Sequence, residues 1–536
     1  MPRRAAAAWA AAASFLAAGA FALTPADTGQ RSYFCEDIRK PFFAETAPGS
    51  GLYAAARPQA MPEKFRMPKP AGTRRVFVIG ESVAAILDQG SYALEPAGLS
   101  GWFRSVLPGG AAAPPEILNC GMGGYESYRI SGVLKEVLGY SPDLVVLLSG
   151  NHEGSPEYLC PGLDFELRRR KLRLYERVFS LKHGPQRARK LASLRLHGEM
   201  LTAMAASARK AGVPLVLSTL PANFRDMPSR TPPAFENGLF AAGYLAYHRG
   251  RHAEAEKSLR AAARELPEDP HSRFYLARAL EKLGRGREAA AYYAEAVSVD
   301  GDLTRADSER NALIRRAAAE SGACLADLEG LFRGLAKDGL PGFAEFTDGM
   351  HWRRPLNRLV WDEIYRAAAA CGLKEFSGLK ASENRAWRET PRQDALVRLN
   401  YAASWMLGPG LLNEASLAEL EHVRRLQPSL LKEITASQES FTAALKDVFW
   451  SAPMLPRAGE IFPSLLAHVA EVRRRAGDAG AAADLARRAL SASPGHKGAR
   501  FALAQALADL GKKEEAAAGF KALGEGVGGL AAAYGF

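Results

Sequence analysis

Short apolar runs of strand character are separated by amphipathic helical segments along much of this 536-residue chain. The runs are bounded by glycine or polar residues, as buried strands are. They lie at residues 74–80, 116–119, 143–148, 213–218 and 323–327, with helices predicted at 127–139, 194–211 and 355–370. Strands that alternate with helices indicate an α/β domain, in which a parallel sheet is covered on both faces. Residues 24–73, rich in Pro and Gly, are expected to form an irregular lead-in.

The alternation stops near Glu236, where a 34-residue period begins. Matching residues 34 positions apart include Phe240 and Phe274, Gly250 and Gly284, Ala255 and Ala289, and Ala262 and Ala296. The same spacing relates Gly477 to Gly511 and Ala482 to Ala516, and residues 395–430 are interpreted as a degenerate member. This period is typical of all-α tetratricopeptide repeats, whose concave face usually binds a protein partner. The sequence does not identify that partner.

The composition, with 47% hydrophobic and 24% charged residues, is that of a globular protein, and the length indicates two to four domains. Part of the net charge of +12 comes from a basic stretch at residues 168–190. We favour a solvated helix face there, because Leu167, Leu172 and Leu174 supply an apolar side; the alternative is a surface for polyanions or anionic lipid. Nothing resembles a nucleic-acid-binding fold, so no nucleic-acid partner is expected.

The N-terminus predicts an extracytoplasmic location. Arg3 and Arg4 precede an apolar run, residues 5–23, and a small-x-small cleavage pattern lies at residues 20–22. Residues 1–23 are interpreted as a signal peptide or as an N-terminal membrane anchor, and both place the remainder in or facing the periplasm. The five cysteines fit no zinc motif, and an oxidising compartment permits one or two disulfides with one thiol left over.

Four polar clusters follow the predicted strands or precede a helix. They are Gly80-Glu81-Ser82, the segment 119–127, Ser149-Gly150-Asn151-His152-Glu153, and Thr347-Asp348-Gly349-Met350-His351. Since the carboxyl ends of parallel strands share one edge of the sheet, we expect these clusters to form one site. Asp348 and His351, three residues apart, can hydrogen-bond and fix the imidazole tautomer.

Together the clusters resemble the sequence blocks of the SGNH hydrolases, also called the GDSL family. Ser82 matches the nucleophile, Gly124 the oxyanion glycine, and Asp348 and His351 the Asp-x-x-His of the last block. The resemblance implies a three-layer, flavodoxin-like SGNH domain and chemistry that needs no metal or organic cofactor.

The resemblance covers roughly residues 74–235 and 302–372. Segments 119–122, 142–146 and 220–226 are similar to bacterial members of the family that carry tetratricopeptide repeats.

Two positions depart from the family pattern. Glu81 stands where the first block has Asp, and we expect little effect from it because that acid is not the triad acid. In the third block His152 occupies the position of the oxyanion asparagine, and Asn151 lies one residue early. Neutral imidazole has one N–H, so His152 can donate to an oxyanion; the alternatives are a shifted loop that brings in Asn151, or impaired catalysis. Because imidazole titrates near neutrality, we expect activity to depend on pH through two histidines.

The leading hypothesis is a serine esterase acting on an acyl ester, such as O-acetyl groups on extracytoplasmic polysaccharide or cell wall, as the resemblance implies. An O-acyltransferase on the same triad is the second hypothesis. The third is a repeat-based interaction protein with a weakened hydrolase domain. The predicted organisation is a leader or anchor (1–23), a hydrolase domain in two parts (24–235 and 302–375), inserted repeats (236–301) and a C-terminal helical repeat region (376–536).

Overall fold

The structure is a computed structural model, and it describes residues 40–57, 60–87, 89–94, 100–104, 106–109, 115–153, 163–383, 390–407, 411–446, 448, 454–524 and 526–536. The leader or anchor predicted at residues 1–23 lies outside this part of the chain, as do Cys35 and Cys160. Within the described ranges, no helix is both long and apolar enough to cross a membrane.

The strands are short, and far more of the described residues lie in helices than in strands. The strands are β1 (Phe43–Glu45), β2 (Leu52–Ala55), β3 (Lys64–Arg66), β4 (Arg75–Gly80), β5 (Gln89–Leu94), β6 (Ser100–Arg104), β7 (Val106–Gly109), β8 (Glu116–Gly121), β9 (Leu144–Leu148), β10 (Leu215–Ser218), β11 (Cys324–Ala326) and β12 (Lys380–Glu383).

The helices of the α/β part and of the segment between β10 and β11 are α1 (Ser82–Ala85), α2 (Ser127–Val137), α3 (Leu163–Ser180), α4 (Pro185–Lys210), α5 (Gly238–His248), α6 (His252–Glu265), α7 (Pro270–Lys282), α8 (Gly286–Ser298), α9 (Ser308–Ser321), α10 (Leu328–Leu335) and α11 (Asn357–Ala370). Those that follow are α12 (Pro391–Trp405), α13 (Glu414–Leu426), α14 (Pro428–Ile434), α15 (Gln438–Lys446), α16 (Ala458–Arg475), α17 (Ala479–Ala492), α18 (Lys497–Asp509), α19 (Lys513–Lys521) and α20 (Gly528–Tyr534).

Five parallel strands form the central sheet in the order β11–β10–β9–β4–β8. The chain runs outward from β4 in both directions, which is the doubly wound, flavodoxin-like order. Alternate residues of β4 face opposite layers. Val76 and Val78 pack in the core that contains Trp361 of α11, and Phe77 packs with Ile130 of α2 in the core on the other face. The predicted parallel sheet with helices on both faces is therefore confirmed.

The lead-in differs from the sequence-based expectation of irregular structure. Strands β1, β2 and β3 form an antiparallel three-stranded sheet, and Phe43 and Phe65 pack edge-to-face at 4.9 Å between ring centroids. Arg75 joins this sheet to β4, because its guanidinium donates to the Arg66 carbonyl at 2.8 Å and lies 4.7 Å from the Phe65 ring centre. Aromatic burial thus orders a segment whose Pro and Gly content indicated a loop.

The chain between β10 and α9 forms two antiparallel helix pairs, α5 with α6 and α7 with α8, before it returns to the sheet at β11. Helix starts here follow local capping rules: the Asp269 side chain accepts the Ser272 N–H, and Pro270 occupies the first turn of α7. These helices share one apolar core with the helices that follow residue 390.

Polar bonds also join the two helical regions. Glu414 of α13 accepts the Tyr244 hydroxyl of α5 at 2.9 Å and the Arg475 guanidinium of α16 at 2.8 Å. Leu530 of α20 donates its N–H to the Phe235 carbonyl at 3.0 Å. The inserted and C-terminal helices therefore form one continuous body that packs beside the α/β domain.

Within the described part of the chain, a disulfide between Cys324 on β11 and Cys371 at the end of α11 ties the edge strand to the helix that covers it. Cys120 is a buried free thiol.

Candidate active site

Ser82 lies at the sharp turn between β4 and α1, which we call the nucleophile turn (residues 80–83). Two glycines permit this turn. A Cβ on Gly80 would lie 2.3 Å from the Leu148 carbonyl oxygen, and a Cβ on Gly121 would lie 2.1 Å from the Ala85 nitrogen. Close approach of three backbones at the sheet edge thus requires glycine at both positions. The amide of Ser82, as the first of its helix, has no intrahelical acceptor and is available to an anion.

His351 and Asp348 lie in a second segment, the acid–base loop (residues 343–351). His351 Nε2 is 2.7 Å from Ser82 Oγ, and His351 Nδ1 is 2.8 Å from Asp348 Oδ2. The other oxygen of Asp348 accepts the N–H groups of Met350 and His351 at 2.8 and 2.7 Å. Burial by itself raises the pKa of Asp348, but the charge and hydrogen bonds of His351 outweigh it and hold the pKa below its usual value. The structure brings these three predicted residues into one hydrogen-bonded chain.

Side chains from outside the predicted blocks hold the acid–base loop. Asn223 donates from Nδ2 to the Asp348 carbonyl at 3.0 Å, and its own N–H donates to the Gly349 carbonyl at 3.0 Å. Arg398 of α12 donates to the carbonyls of Thr347 at 2.8 Å and Phe346 at 2.9 Å. Asn223 falls within the segment 220–226 that the sequence singled out, whereas no sequence signal pointed to Arg398.

A stack of rings from α12 covers the imidazole of His351. The Tyr401 ring lies parallel to His351, with centroids 5.3 Å apart and planes inclined by 15°. Trp405 stacks on Tyr401 at 6.1 Å, and the Arg230 guanidinium lies 5.7 Å from the Trp405 ring. Because Tyr401 and Trp405 are four residues apart, they share one face of α12. The C-terminal helical region therefore contributes directly to the surroundings of His351.

The second block places Gly124 at the turn before α2. Its φ of 70° is a left-handed conformation that glycine adopts without strain. Its carbonyl accepts Arg129 Nη2 at 2.6 Å, and Arg129 also pairs with Glu126. These bonds orient the carbonyl of Gly124 towards the protein interior and hold the local backbone in place.

In the third block, which we call the third loop (residues 149–153), Asn151 and His152 have different surroundings. The Asn151 side chain is fully buried, and its Oδ1 accepts the Ala306 N–H at 2.9 Å, on the side of the segment that leads into α9. His152 retains 7% of its surface. Burial, and then repulsion from the neighbouring His351 and from Arg230, lower the pKa of His152 to about 3.

The low pKa of His152 corrects the expectation that two histidines titrate near neutrality. A buried imidazole beside other cations is neutral throughout the neutral range. The ionisation of His152 is therefore not expected to shape the pH dependence of activity in the neutral range.

Glu81, from which little effect is expected, lies between the nucleophile turn and the third loop. Its carboxylate accepts the Asn151 N–H at 3.0 and 3.2 Å and so links the nucleophile turn to the third loop. Complete burial, reinforced by the nearby Glu153, raises the pKa of Glu81 to about 8, although the Asn151 hydrogen bond opposes the shift.

Glu153 fixes the other end of the third loop. It accepts the N–H and hydroxyl of Ser127 at 2.6 and 2.9 Å and pairs with Arg168 of α3 at 2.9 Å. Burial raises the pKa of Glu153, but neighbouring charges, Arg168 among them, reverse the effect and hold it at about 2. Among the residues that the structure describes, no group of three His, Cys, Asp or Glu side chains could hold a metal ion.

Comparisons with known proteins agree on the repeats. Two family models described as tetratricopeptide repeat match residues 240–311 and 473–527. A search of curated proteins returned no match.

Solved structures similar to this chain include an acetyl xylan esterase, at 15% identity and a TM-score of 0.26, covering 55% of this chain and 98% of the other. A GDSL-like lipase from Bacteroides thetaiotaomicron is similar at 11% identity and a TM-score of 0.25, covering 56% and 89% of the two chains. Because these values are low, the domain is described by its sheet order and by the hydrogen bonds around Ser82. The chain thus combines a doubly wound α/β domain, with Ser82, His351 and Asp348 hydrogen-bonded at the edge of its sheet, and two helical segments that match tetratricopeptide-repeat models.

Proposed function

We propose that this chain is a serine esterase that works through an acyl-enzyme on Ser82. One observation carries the proposal: the continuous hydrogen-bonded chain from Ser82 Oγ through His351 to Asp348. A serine, a base and a group that orients the base, within hydrogen-bond distance of one another, form the arrangement that activates a hydroxyl for attack.

The proposed reaction follows from these contacts. His351 Nε2 takes the proton of Ser82 as its Oγ attacks the ester carbonyl, and Asp348 stabilises the imidazolium. His351 then protonates the leaving alcohol, and water, deprotonated in turn by His351, releases the acid. The N–H groups of Ser82 and Gly124 hold the oxyanion.

We assign the third oxyanion donor to His152. The position of His152 in the third block, and its interaction with the charge of the neighbouring His351, support this choice. Asn151 is the alternative donor, because Ala306 occupies its Oδ1 whereas its buried Nδ2 has no hydrogen-bond partner among the described residues. A pKa of about 3 leaves His152 neutral with one N–H to donate, so it adds no second charge beside the imidazolium.

The substrate class follows the sequence resemblance. We propose a small acyl ester on an extracytoplasmic glycan, reached after export or from a membrane anchor. Transfer of the acyl group to a sugar hydroxyl instead of water would use the same triad. Product analysis separates the two reactions: free carboxylic acid indicates hydrolysis, and acylated acceptor indicates transfer.

A fluorophosphonate probe tests the proposal, because it labels only an activated serine. We expect peptide mapping to locate the label at Ser82 and expect Ser82→Ala to abolish it. Ser207→Ala, on the exposed face of α4, is the matched control and should be labelled like the unmodified protein. An unlabelled Ser82 in the folded protein would overturn the esterase and favour an interaction protein with a weakened hydrolase domain.

A further inference from the structure

We propose that α3 is a docking surface for an anionic membrane. The proposal rests on a row of apolar side chains that are exposed to solvent. Large apolar side chains with the highest exposed fractions in the described part of the chain belong to this helix and the residue after it: Leu167 (53%), Leu174 (58%), Val178 (54%) and Leu181 (83%). Others, such as Leu510 at 44%, are scattered over the molecule.

These four side chains lie on one face. At 100° per residue, positions 167, 174, 178 and 181 fall within an arc of about 60°. The opposite side of α3 is occupied, because Tyr175 donates its hydroxyl to Glu199 of α4 at 2.7 Å and Arg168 pairs with Glu153. The exposed row is therefore the outer surface of a helix that is already anchored on its inner side.

Basic residues flank the apolar row on both sides. Lys171 and Lys182 lie along one edge, and Arg170, Arg173 and Arg177 lie along the other. Arg173, Arg177 and Lys182 have no ion pair with any described residue. An apolar stripe between cationic edges is the pattern of a helix that lies in a bilayer interface, where long basic side chains reach the headgroups.

The chemistry of this face favours a bilayer over other occupants. A polyanionic polysaccharide would satisfy the charges but leave four apolar side chains in water. A second copy would bring together two faces of the same positive sign, since residues 163–183 hold seven Lys or Arg and three Asp or Glu. The chain's own apolar run at 5–23 carries only Arg3 and Arg4 beside it and offers no complementary charge. An anionic membrane satisfies both the apolar row and the basic edges.

The test uses the full chain with an environment-sensitive fluorophore on Val178→Cys, in a background of Cys35→Ser and Cys160→Ser. The buried Cys120 and the Cys324–Cys371 disulfide are left unchanged. A matched protein carries the label at Leu283→Cys, at the end of α7, where an exposed leucine stands beside Lys282 and Arg285 but belongs to no row of exposed apolar side chains. Vesicles of phosphatidylcholine alone and of phosphatidylcholine with phosphatidylglycerol are the two lipid surfaces.

We expect the emission of the label at position 178 to shift to shorter wavelength, and the label to become protected from an aqueous quencher, with anionic vesicles only. High salt should reverse both changes. The label at position 283 should not respond. Arg173→Gln, Arg177→Gln and Lys182→Gln together should weaken the response about a hundredfold, because each basic residue near an anionic surface contributes about fivefold. The same triple variant should hydrolyse a soluble aryl ester normally, so docking and catalysis are judged separately.

Each other outcome overturns the proposal. A label at position 178 that stays in water while the chain sediments with vesicles would assign membrane binding to the N-terminal run. A response to polyanionic polysaccharide but not to vesicles would make the surface a glycan site. If the fluorescence of the label at position 178 changes with protein concentration in the absence of lipid, the surface mediates self-association. If the label is protected from the quencher at every protein concentration without lipid, a segment of the same chain covers the surface.

Discussion

The nucleophile turn and the acid–base loop meet at one hydrogen bond but are held in opposite ways. Ser82 is positioned by its own neighbourhood, through glycine contacts between β4, β8 and β9. The loop that carries His351 has local bonds of its own, among them the bridge between Phe346 and Trp352 and the turn closed by Asp348, but it also depends on remote donors. Arg398, 51 positions beyond Thr347, is one of them.

The difference assigns the C-terminal helices a part in the active site. The triad would be set by the α/β domain alone if both halves were held like the nucleophile turn. Instead α12 provides the cation that binds the loop carbonyls and the ring that stacks on His351. Perturbing α12 should therefore affect the base and leave the nucleophile in place.

The largest effect should come from Ser82→Ala. We expect a loss of about 10⁴-fold or more in kcat for short aryl esters, the scale seen when a nucleophile is removed from a triad. Thermal unfolding should be nearly unchanged, because the hydroxyl is a small group at the mouth of the site. Retention of most of the activity would contradict the acyl-enzyme mechanism.

Next is Arg398→Met, which tests the remote support. It leaves the buried Asp394 without its partner at 2.9 Å and three loop carbonyls without a donor, so we expect a loss of about 3–5 kcal/mol in unfolding free energy. Denaturant titration measures it. Arg392→Met, on the same helix as Arg398, removes an exposed ion pair with Glu433 of α14 and should cost less than about 1 kcal/mol. Equal losses would mean that the buried cation does not support the acid–base loop.

His152→Ala should lower kcat/KM about a hundredfold, the usual cost of losing one oxyanion donor. His152→Asn should retain activity, because an amide supplies the N–H that the imidazole is proposed to donate. Asn151→Ala should act mainly on stability through the Ala306 bond. If Asn151→Ala abolishes catalysis while His152→Ala is silent, the donor is the amide.

Glu81→Gln should change how stability depends on pH. In the folded protein Glu81 has a pKa of about 8, whereas unfolded it ionises near 4.5. Its contribution to stability is therefore complete below pH 4.5 and is lost as the pH rises to about 8. The unfolding free energy of the Gln variant relative to the unmodified protein should rise by roughly 3.5 kcal/mol between pH 5 and 8. Parallel pH profiles for the two proteins would show that Glu81 is ionised when folded.

The smallest effect should come from the ring stack. Tyr401→Leu should lower kcat about fivefold, because the imidazolium formed during catalysis loses an aromatic face worth about 1 kcal/mol. Tyr401→Phe keeps the ring and should restore the rate, and the pH–rate profile should move only in the Leu variant. A Phe variant as slow as the Leu variant would assign the effect to the hydroxyl instead.

The sequence determined the sheet, the helical repeats and the chemical groups of the site. Apolar runs such as 143–148 and a period of 34 are local patterns, and burial of an apolar run or pairing of adjacent helices follows from them directly. Ser82, Asp348 and His351 stood at the ends or starts of such elements, where a parallel sheet gathers its functional residues.

Only the tertiary structure decided what surrounds those groups. Arg398 and Tyr401 act on a loop some fifty residues away, and no periodicity records a contact of that kind. The antiparallel sheet of the lead-in likewise depends on aromatic packing against β4. The raised pKa of Glu81 and the lowered pKa of His152 have a related cause: a pKa is set by burial and by charges brought close in space, and neither is a property of the residue type.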